Sequence, residues 1–432
     1  NSLIRFPLMR DLIKKLTFVL LPTVAYTDEW IEILSKSMII DDVNNKGSGN
    51  RQQSAGSLDL EEVESVSKVF KNEMEEAGII LATPLMMELD ESIYGSMPAI
   101  PYKYQIEEIM KAALEYPFEI MPFIGFNPRK PDSFKQVIDC LENKGFLGVK
   151  MYPALGFNPD PNSLDNNRIT NTNLRRFYKY ASENNIPITA HCARAGAYSG
   201  SLIGKKGVLD QFSHPDNWAK VLQNFPNLRL NLAHFGGSSN FMEYEDGKSL
   251  QDNWTGKIVD LIRNYDNVYT DTSAYAGCLS EKDGHDHFRD LLEIGFAKNN
   301  SCDISNRVMF GTDWPMNRNE WEEKDFVYYF NQWYEEEKAN RPPIAEIIRR
   351  FAWKNAICFL FPEQQIPHRL NNFYKNIQPK KNVNKSNELQ KRIYIAFNFS
   401  KIMQVTLQSS FLATGLSLQL IPPEFLLPKQ KY

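Results

Sequence analysis

Three polar residues of this 432-residue chain each follow directly on an apolar run. They are His191, after Ile-Pro-Ile-Thr-Ala, His234, after Leu-Arg-Leu-Asn-Leu-Ala, and Asp313, after Val-Met-Phe-Gly-Thr. Neutral imidazoles are good ligands for Zn²⁺ and other divalent metals, and a carboxylate can complete the shell or take a proton from metal-bound water. One histidine at the end of a strand is more often a hydrogen-bonded core residue, whereas three such groups in register indicate a metal or proton-transfer site.

The apolar runs that would carry these groups recur about every 40 residues, with one shorter step. They begin near Ile79, Glu119, Leu147, Pro187, Leu228, Val268 and Arg307. Amphipathic stretches with helical spacing lie between them, and a strand with its crossover helix takes about 30 residues or more. Alternating strands and helices predict a parallel sheet.

Seven such strands fit either an open doubly wound sheet or a closed (β/α)8 barrel of the TIM type. No GxGxxG motif opens a helix after a strand, so the dinucleotide-binding form of the doubly wound sheet has no support. In a barrel, catalytic groups come from the carboxyl ends of several strands, where His191, His234 and Asp313 fall. The sequence therefore favours the α/β barrel, with its first strand either in this chain or absent from it.

Composition narrows the class of protein. The net charge is −4, and the 49 basic and 53 acidic residues are interspersed. This pattern differs from the basic patch or stripe of a nucleic-acid-binding protein. The five cysteines form no close CxxC pair and are expected to be reduced thiols. The most apolar N-terminal stretch, residues 16–26, is too short to span a bilayer. We expect a cytoplasmic protein with a small-molecule substrate and no nucleic-acid or membrane partner, and a homodimer is a possible assembly.

The chain is expected to have three parts. Residues 1–77 form an N-terminal helical or inserted region that includes a polar, Gly/Ser-rich loop at 42–57, expected to be disordered. Residues 78–361 form the barrel. Residues 362–432 form a basic linker and a tail, and the sequence assigns the tail no function.

Two basic residues also lie at the predicted rim. Lys150 ends a strand one period before His191, where it could pair with an acidic substrate, bridge two metals if carboxylated, or form a salt bridge. Arg194 could hold a substrate carboxylate through two hydrogen bonds, although a solvated loop arginine is as good an interpretation. The pair His285-Asp-His287 is expected in a surface loop after the strand near Val268.

Four motifs in order resemble the amidohydrolase-related family, the metal-dependent TIM-barrel hydrolases that also include aminocarboxymuconate semialdehyde decarboxylase-like enzymes. They are Gly148-Val-Lys-Met-Tyr-Pro, Ile188-Thr-Ala-His-Cys, Asn231-Leu-Ala-His-Phe-Gly-Gly and Val308-Met-Phe-Gly-Thr-Asp-Trp-Pro. The resemblance covers about residues 78–361. It implies one or two divalent metals at the barrel mouth, with His191 and Asp313 as ligands and Asp313 also as base. It makes His234 either a further ligand or a group that polarises substrate.

The chain departs from the family pattern at the first strand, which normally ends in an H-x-H pair of ligands. No histidine precedes His191. Either this sequence starts after that strand, or the protein has lost part of its metal site and is a pseudoenzyme.

The resulting hypothesis is a metal-dependent hydrolase that acts on a small, carboxylate-bearing substrate. Asp313 would accept a proton from metal-bound water, His234 would stabilise the oxyanion, and Lys150 or Arg194 would anchor the substrate. Non-oxidative decarboxylation or hydration on the same scaffold is the second hypothesis, and a metal-poor binding barrel is the third. Zinc is the expected metal, with manganese and iron as alternatives, because the same ligands suit all three.

Overall fold

The computed structural model describes residues 66–88, 101–194, 206–244, 251–274, 282–297, 304–313, 323–377, 384–394 and 396–397. Six strands in this part of the chain form one parallel sheet, and each strand pairs with the next one in the sequence. They are β1 (Phe123–Phe126), β2 (Gly148–Met151), β3 (Ile188–Ala193), β4 (Leu230–Gly236), β5 (Val268–Asp271) and β6 (Val308–Met309).

A seventh extended segment precedes β1. Parallel bridges join Ala82 to Ile120 and Leu85 to Phe123, so this segment lies beside β1. A doubly wound sheet reverses its strand order at a switch point, whereas the strands here follow one another without reversal. The predicted α/β class with a parallel sheet is confirmed, and this strand order is that of the (β/α)8 barrel.

The strands are buried on both faces, since every residue of β1 to β5 is buried. Helices supply the covering layer. They are Tyr102–Glu115, Ser133–Asn143, Arg168–Glu183, Lys206–Phe212, Pro215–Asn224, Ser238–Glu243, Trp254–Asn264, Lys282–Ala297, Glu323–Asn340, Pro342–Arg349, Asn355–Leu360 and His368–Ile377. The helix Arg168–Glu183 illustrates how the local sequence favours a helix. The Asn167 side chain caps its start by accepting a hydrogen bond from Thr170 N. Its Leu174, Phe177 and Tyr178 recur at helical spacing and are fully buried.

The chain divides into two compact units. The first comprises Asn1–Ile79 and Thr312–Tyr328, and the second comprises Ile80–Gly311 and Tyr329–Tyr432. In the first unit the described helix Val66–Ala77 is tied to Lys324, whose Nζ pairs with Glu76 Oε1 at 3.0 Å. The apolar stretch 16–26 and the predicted loop 42–57 lie outside the described residues. Among the described helices, none is both long and apolar enough to cross a membrane.

Residues beyond 361, which the sequence analysis assigns to a linker and tail, contribute helices to the second unit. The helix His368–Ile377 and a helical stretch at 384–394 pack on a core cluster that includes Met121 and Leu147, which lie just before β1 and β2. The Arg369 guanidinium donates to the carbonyl oxygens of Leu141, Phe146 and Leu147. These helices therefore pack near the amino ends of the strands. Residues 398–432 of the predicted tail are not described.

A π-helical segment, Arg350–Lys354, supports β6. The Phe351 carbonyl accepts a hydrogen bond from Phe310 N at 3.1 Å, and Asn355 Nδ2 donates to the carbonyls of Ser305 and Val308 at 2.6 and 2.7 Å. A π-bulge leaves a carbonyl without its usual partner in the helix, and here a carbonyl of the segment bonds to the residue after the strand.

Lys354, at the end of this segment, is 3% exposed and its Nζ lies 2.8 Å from Glu346 Oε1. Burial, against the pull of Glu346, lowers the pKa of Lys354 from 10.5 to about 8. Because the folded protein binds this proton less tightly than the unfolded chain does, the cost of the buried charge is full below pH 8. That cost disappears as the pH rises towards 10.5.

We therefore expect the stability difference between the wild type and Lys354→Met to depend on pH. Between about pH 7 and 10 the free energy of unfolding of the wild type should rise relative to that of the variant, by at most about 3 kcal/mol at 1.36 kcal/mol per pKa unit. The variant removes the titrating group and leaves Glu346 beside Arg349 and Arg350. Urea unfolding of both proteins across this pH range measures the difference. If the two stabilities changed in parallel with pH, the lowered pKa of Lys354 would be contradicted.

Candidate active site

The structure brings two of the predicted site residues together at the carboxyl ends of neighbouring strands. His191 in β3 and His234 in β4 are 4% and 9% exposed, and their ring centroids are 4.8 Å apart in an edge-to-face arrangement. The β3–β4 register pairs His191 with Ala233 and then shifts before Ala193 pairs with Gly236. The register thus shifts at the level of the two histidines, which lie on neighbouring strands at this rim.

An aromatic ring and a cation extend this pair along the rim. The Tyr152 ring, one residue beyond β2, stacks on His191 with centroids 4.2 Å apart and an angle of 15° between the planes. Lys150 is only 5% exposed, and its Nζ lies 5.7 Å from the centre of the Tyr152 ring. The carboxyl ends of β2, β3 and β4 thus bring together three rings, one pair stacked and one pair edge-to-face, with a buried cation over the Tyr152 ring. We call Lys150, Tyr152, His191 and His234 the rim cluster.

A buried carboxylate that the sequence analysis did not single out supports the rim cluster. Asp271 ends β5 and accepts hydrogen bonds from the backbone N–H groups of His234 at 3.1 Å and Ser273 at 3.0 Å. It also accepts from the Ser273 hydroxyl, and Asn231 Nδ2 donates to its second oxygen at 2.6 Å. The signal was present in the sequence, because Asp271 closes an apolar run just as His191 does.

Two opposing effects act on the Asp271 carboxyl. Burial alone would raise its pKa, but the nearby His234 and the hydrogen bonds from Ser273 and Asn231 outweigh burial, so that the pKa lies below its usual value. Asp271 is therefore a buried anion whose charge is balanced locally.

The backbone at His234 is strained. His234 and Phe235 have φ angles of 66° and 42°, in the left-handed region that residues with a Cβ rarely occupy, and Gly236 and Gly237 continue there at 86° and 94°. The surrounding bonds hold this conformation, since Thr255 Oγ1 donates to the Phe235 carbonyl at 2.7 Å and Asp271 accepts from His234 N. Strain of this kind costs about 1–3 kcal/mol per residue and clusters at functional sites.

Gly236→Ala is expected to destabilise the protein strongly, because a Cβ there would lie 2.7 Å from Thr255 N and 2.9 Å from the Trp254 carbonyl carbon. Gly237→Ala is the matched control, since its φ is also left-handed but, among the described residues, its Cβ would meet just Ala193 Cβ at 3.6 Å. Overpacking typically costs about 1–3 kcal/mol beyond the strain that both variants share. Thermal unfolding should place Gly236→Ala clearly below Gly237→Ala, and equal melting temperatures would contradict the close approach.

The other two predicted site residues are placed differently. Arg194 follows β3, is half exposed, and its Nη2 pairs with Asp252 Oδ2 at 2.7 Å while its guanidinium lies 5.2 Å from the Trp254 ring. Asp313 is exposed, has a φ of 61°, and belongs to the first unit, whereas the rim cluster belongs to the second. Their roles in binding and catalysis stay predictions.

The histidines outside the rim cluster lie in helices or at helix starts. His214 caps the helix Pro215–Asn224, where its Nδ1 accepts from Asp216 N at 3.1 Å. His285 and His287 do not lie in a loop, so that prediction was wrong, because the helix Lys282–Ala297 includes both, and His287 Nε2 bonds to the Phe241 carbonyl at 2.7 Å. His368 is exposed at the start of its helix.

The rim cluster fits part of a metal site. His191 and His234 offer two imidazoles close together, whereas catalytic zinc sites use three protein ligands. No group of three His, Cys, Asp or Glu suited to a metal occurs among the residues that the structure describes. Asp271 is the nearest carboxylate in this network, but it is already engaged by donors from His234, Ser273 and Asn231. The described residues thus supply the nitrogen ligands of a cage and not a complete one.

Comparison with known families gives one match. The family described as amidohydrolase matches residues 100–361, which is more than half of the chain and contains the whole rim cluster. No curated protein sequence matches the chain.

Several solved structures are similar to this chain. An uncharacterised TIM-barrel protein from Bordetella bronchiseptica is 19% identical, with 68% of this chain and 82% of that chain covered and a TM-score of 0.45. A 5-carboxyvanillate decarboxylase from Novosphingobium aromaticivorans, complexed with manganese, is 14% identical over 77% of this chain and 93% of that one, with a TM-score of 0.44. A 2,6-dihydroxybenzoate decarboxylase from Rhizobium is 13% identical over 69% and 89%, with a TM-score of 0.42.

Proposed function

The chain belongs to the amidohydrolase family, and from that premise we propose that it is a metal-dependent enzyme that decarboxylates a small aromatic carboxylic acid without an oxidant. One arrangement above all supports this proposal. The Tyr152, His191 and His234 rings contact one another in series, and the Lys150 ammonium lies over the Tyr152 ring. Aromatic rings and a buried cation are two features that favour the binding of an aromatic acid.

The proposed reaction breaks the bond between a ring carbon and the carboxyl group. The electron pair stays on that carbon, which takes up a proton, and carbon dioxide leaves. Lys150 holds the substrate carboxylate or a neighbouring oxygen close to the Tyr152 ring. His234 relays that proton, taking it from water at Nε2 and passing it to the carbon, because its Nδ1 is bonded to Ser273 and none of the described residues bonds to its Nε2. Arg194 is a second anchor only when its pair with Asp252 opens.

We propose that His191 holds a divalent ion, with His234 as either a second ligand or the proton carrier, and Asp313 stays a ligand predicted from the sequence. When bound, such an ion would act as a Lewis acid towards substrate oxygens. Manganese is the first ion to test, because two of the decarboxylases to which this chain is similar are described with it, and zinc is the second.

The direct test incubates the protein with Mn²⁺ and with 2,6-dihydroxybenzoate or 5-carboxyvanillate, the acids after which the similar proteins are named. Decarboxylation is expected to release carbon dioxide and leave a product lighter by that mass. A wider panel of aromatic acids follows if neither is consumed. Failure of every acid with either metal would contradict the proposal.

Hydrolysis is the second candidate, and the sequence motif Val308-Met-Phe-Gly-Thr-Asp313 favours it. This exposed carboxylate closes the β6 segment and could take a proton from a metal-bound water. The same assay separates the reactions, because the products of hydrolysis together retain all carbons of the substrate. If Asp313→Asn keeps full activity in a metal-loaded protein, the carboxylate is not the base.

A further inference from the structure

The bonding partners of His234 determine which of its ring nitrogens carries the proton. Nδ1 lies 3.1 Å from the backbone carbonyl oxygen of Ser273 and 3.0 Å from its Oγ. A carbonyl oxygen can only accept a hydrogen bond, so this partner requires a proton on Nδ1. The hydroxyl could act either way, and its role depends on where its single proton goes.

That proton is directed by Asp271. Oδ1 of Asp271 lies against the Ser273 hydroxyl and also receives the backbone N–H groups of His234 and Ser273, while Oδ2 receives the Asn231 amide. Hydrogen bonds from these N–H groups favour the charged form of the carboxyl group, and a carboxylate has no proton to donate. Asp271 therefore accepts from the Ser273 hydroxyl, and the hydroxyl turns a lone pair towards His234 Nδ1.

We propose that Asp271 and Ser273 are positioning residues that hold neutral His234 as the Nδ1–H tautomer and so leave the lone pair on Nε2. The use of Nε2 for proton transfer or metal binding rests on the proposed function, whereas the tautomer depends only on these contacts. A histidine whose second nitrogen is fixed in this way keeps both its tautomer and its ring orientation.

A second buried histidine provides the opposite case in the same molecule. His214 Nδ1 accepts from the backbone N–H of Asp216, and its Nε2 lies 2.7 Å from Asp252 Oδ1. Nδ1 is thus an acceptor and Nε2 must donate, so neutral His214 is the Nε2–H tautomer. The two histidines should differ in one spectrum, which makes His214 an internal control.

The experiment is a long-range ¹H–¹⁵N correlation spectrum of the full chain with ¹⁵N-labelled histidine, recorded near pH 8, above the ordinary histidine pKa of about 6.5. His234→Gln and His214→Gln identify the two sets of signals. We expect a protonated Nδ1 and an unprotonated Nε2 at His234, and the reverse at His214. A protonated Nε2 at His234 in the wild type would overturn the proposal.

Two variants test the part played by the Ser273 hydroxyl. Ser273→Ala leaves only the backbone carbonyl as acceptor, so the fraction of the Nε2–H tautomer at His234 should rise several-fold with His214 unchanged. Ser273→Thr keeps the hydroxyl and should restore the wild-type ratio, which a purely structural effect would not do. An unchanged ratio in Ser273→Ala would remove Ser273 from the proposal. If the tautomer is as expected and no acid is decarboxylated, the proposed function fails and the positioning role stands.

Discussion

Replacing His234 with glutamine is expected to reduce decarboxylation by about 10²–10⁴-fold, the range that general acid–base catalysis contributes. The loss should lie in kcat, because His234 is proposed to deliver the proton, whereas Lys150 and the Tyr152 ring are proposed to bind the substrate. Steady-state kinetics of the metal-loaded variant on the best substrate of the aromatic acid panel measure both parameters.

The matched control for this variant is His368→Gln, which changes an exposed histidine whose described partner is Asn372 in its own helix. It should keep wild-type kinetics. Both variants should still unfold cooperatively on heating, which shows that a loss of activity is not a loss of fold. If His234→Gln raised KM and left kcat unchanged, His234 would be a binding group and the proton would come from elsewhere.

A chain ending at Phe361, where the family match ends, is expected not to fold. It would lose buried side chains of the cluster near the amino ends of the strands, namely those of Ile366, Leu370, Tyr374, Leu389 and Ile393. At about 1.5–3 kcal/mol for each large side chain, their burial contributes on the order of 7–15 kcal/mol. This is as large as the whole stability of a typical domain, about 5–15 kcal/mol.

The control is a chain ending at residue 397, which keeps both helical stretches beyond 361. It should remain soluble and show the cooperative thermal unfolding of the full chain, as followed by circular dichroism. Arg369→Met is a milder probe of the same contacts, because it removes the hydrogen bonds to three backbone carbonyls and keeps much of the packing. Cooperative folding of the chain that ends at Phe361 would show that these helices are not part of the barrel core.

The strands could be predicted because their signal is local. Apolar runs recur at the length of a βα unit, and the structure has strands or bridges within each of the seven runs. The end of each run also placed His191 and His234 on one rim, because parallel strands share the edge at which their carboxyl ends lie.

The support for His234 could not be predicted in the same way. Asp271 also closes an apolar run, so the same pattern could have pointed to it. Its importance, however, depends on contacts with His234, 37 residues earlier in the chain, and these contacts exist only once β4 and β5 lie side by side. The left-handed backbone of His234 and Phe235 has no marker in the sequence except the two glycines that follow. Tertiary contacts select that conformation against the local preference.

The helices beyond residue 361 were missed because their composition is polar and basic. Their apolar residues are few, but Leu370 and Tyr374 are four residues apart and both are fully buried. The error at His285 and His287 has a similar cause, since the helix Lys282–Ala297 begins in a strongly polar segment. In both places helical spacing was a better guide than average polarity.

We expect this barrel to hold a divalent metal at its rim cluster. Inductively coupled plasma mass spectrometry of the purified full chain and of His191→Asn, after incubation with Mn²⁺ or Zn²⁺ and removal of free ions, tests it most directly. We expect tightly held metal in the wild type and little in the variant. Equal metal content in the two proteins, or none in the wild type, would contradict it and leave a barrel that binds its ligand without metal chemistry.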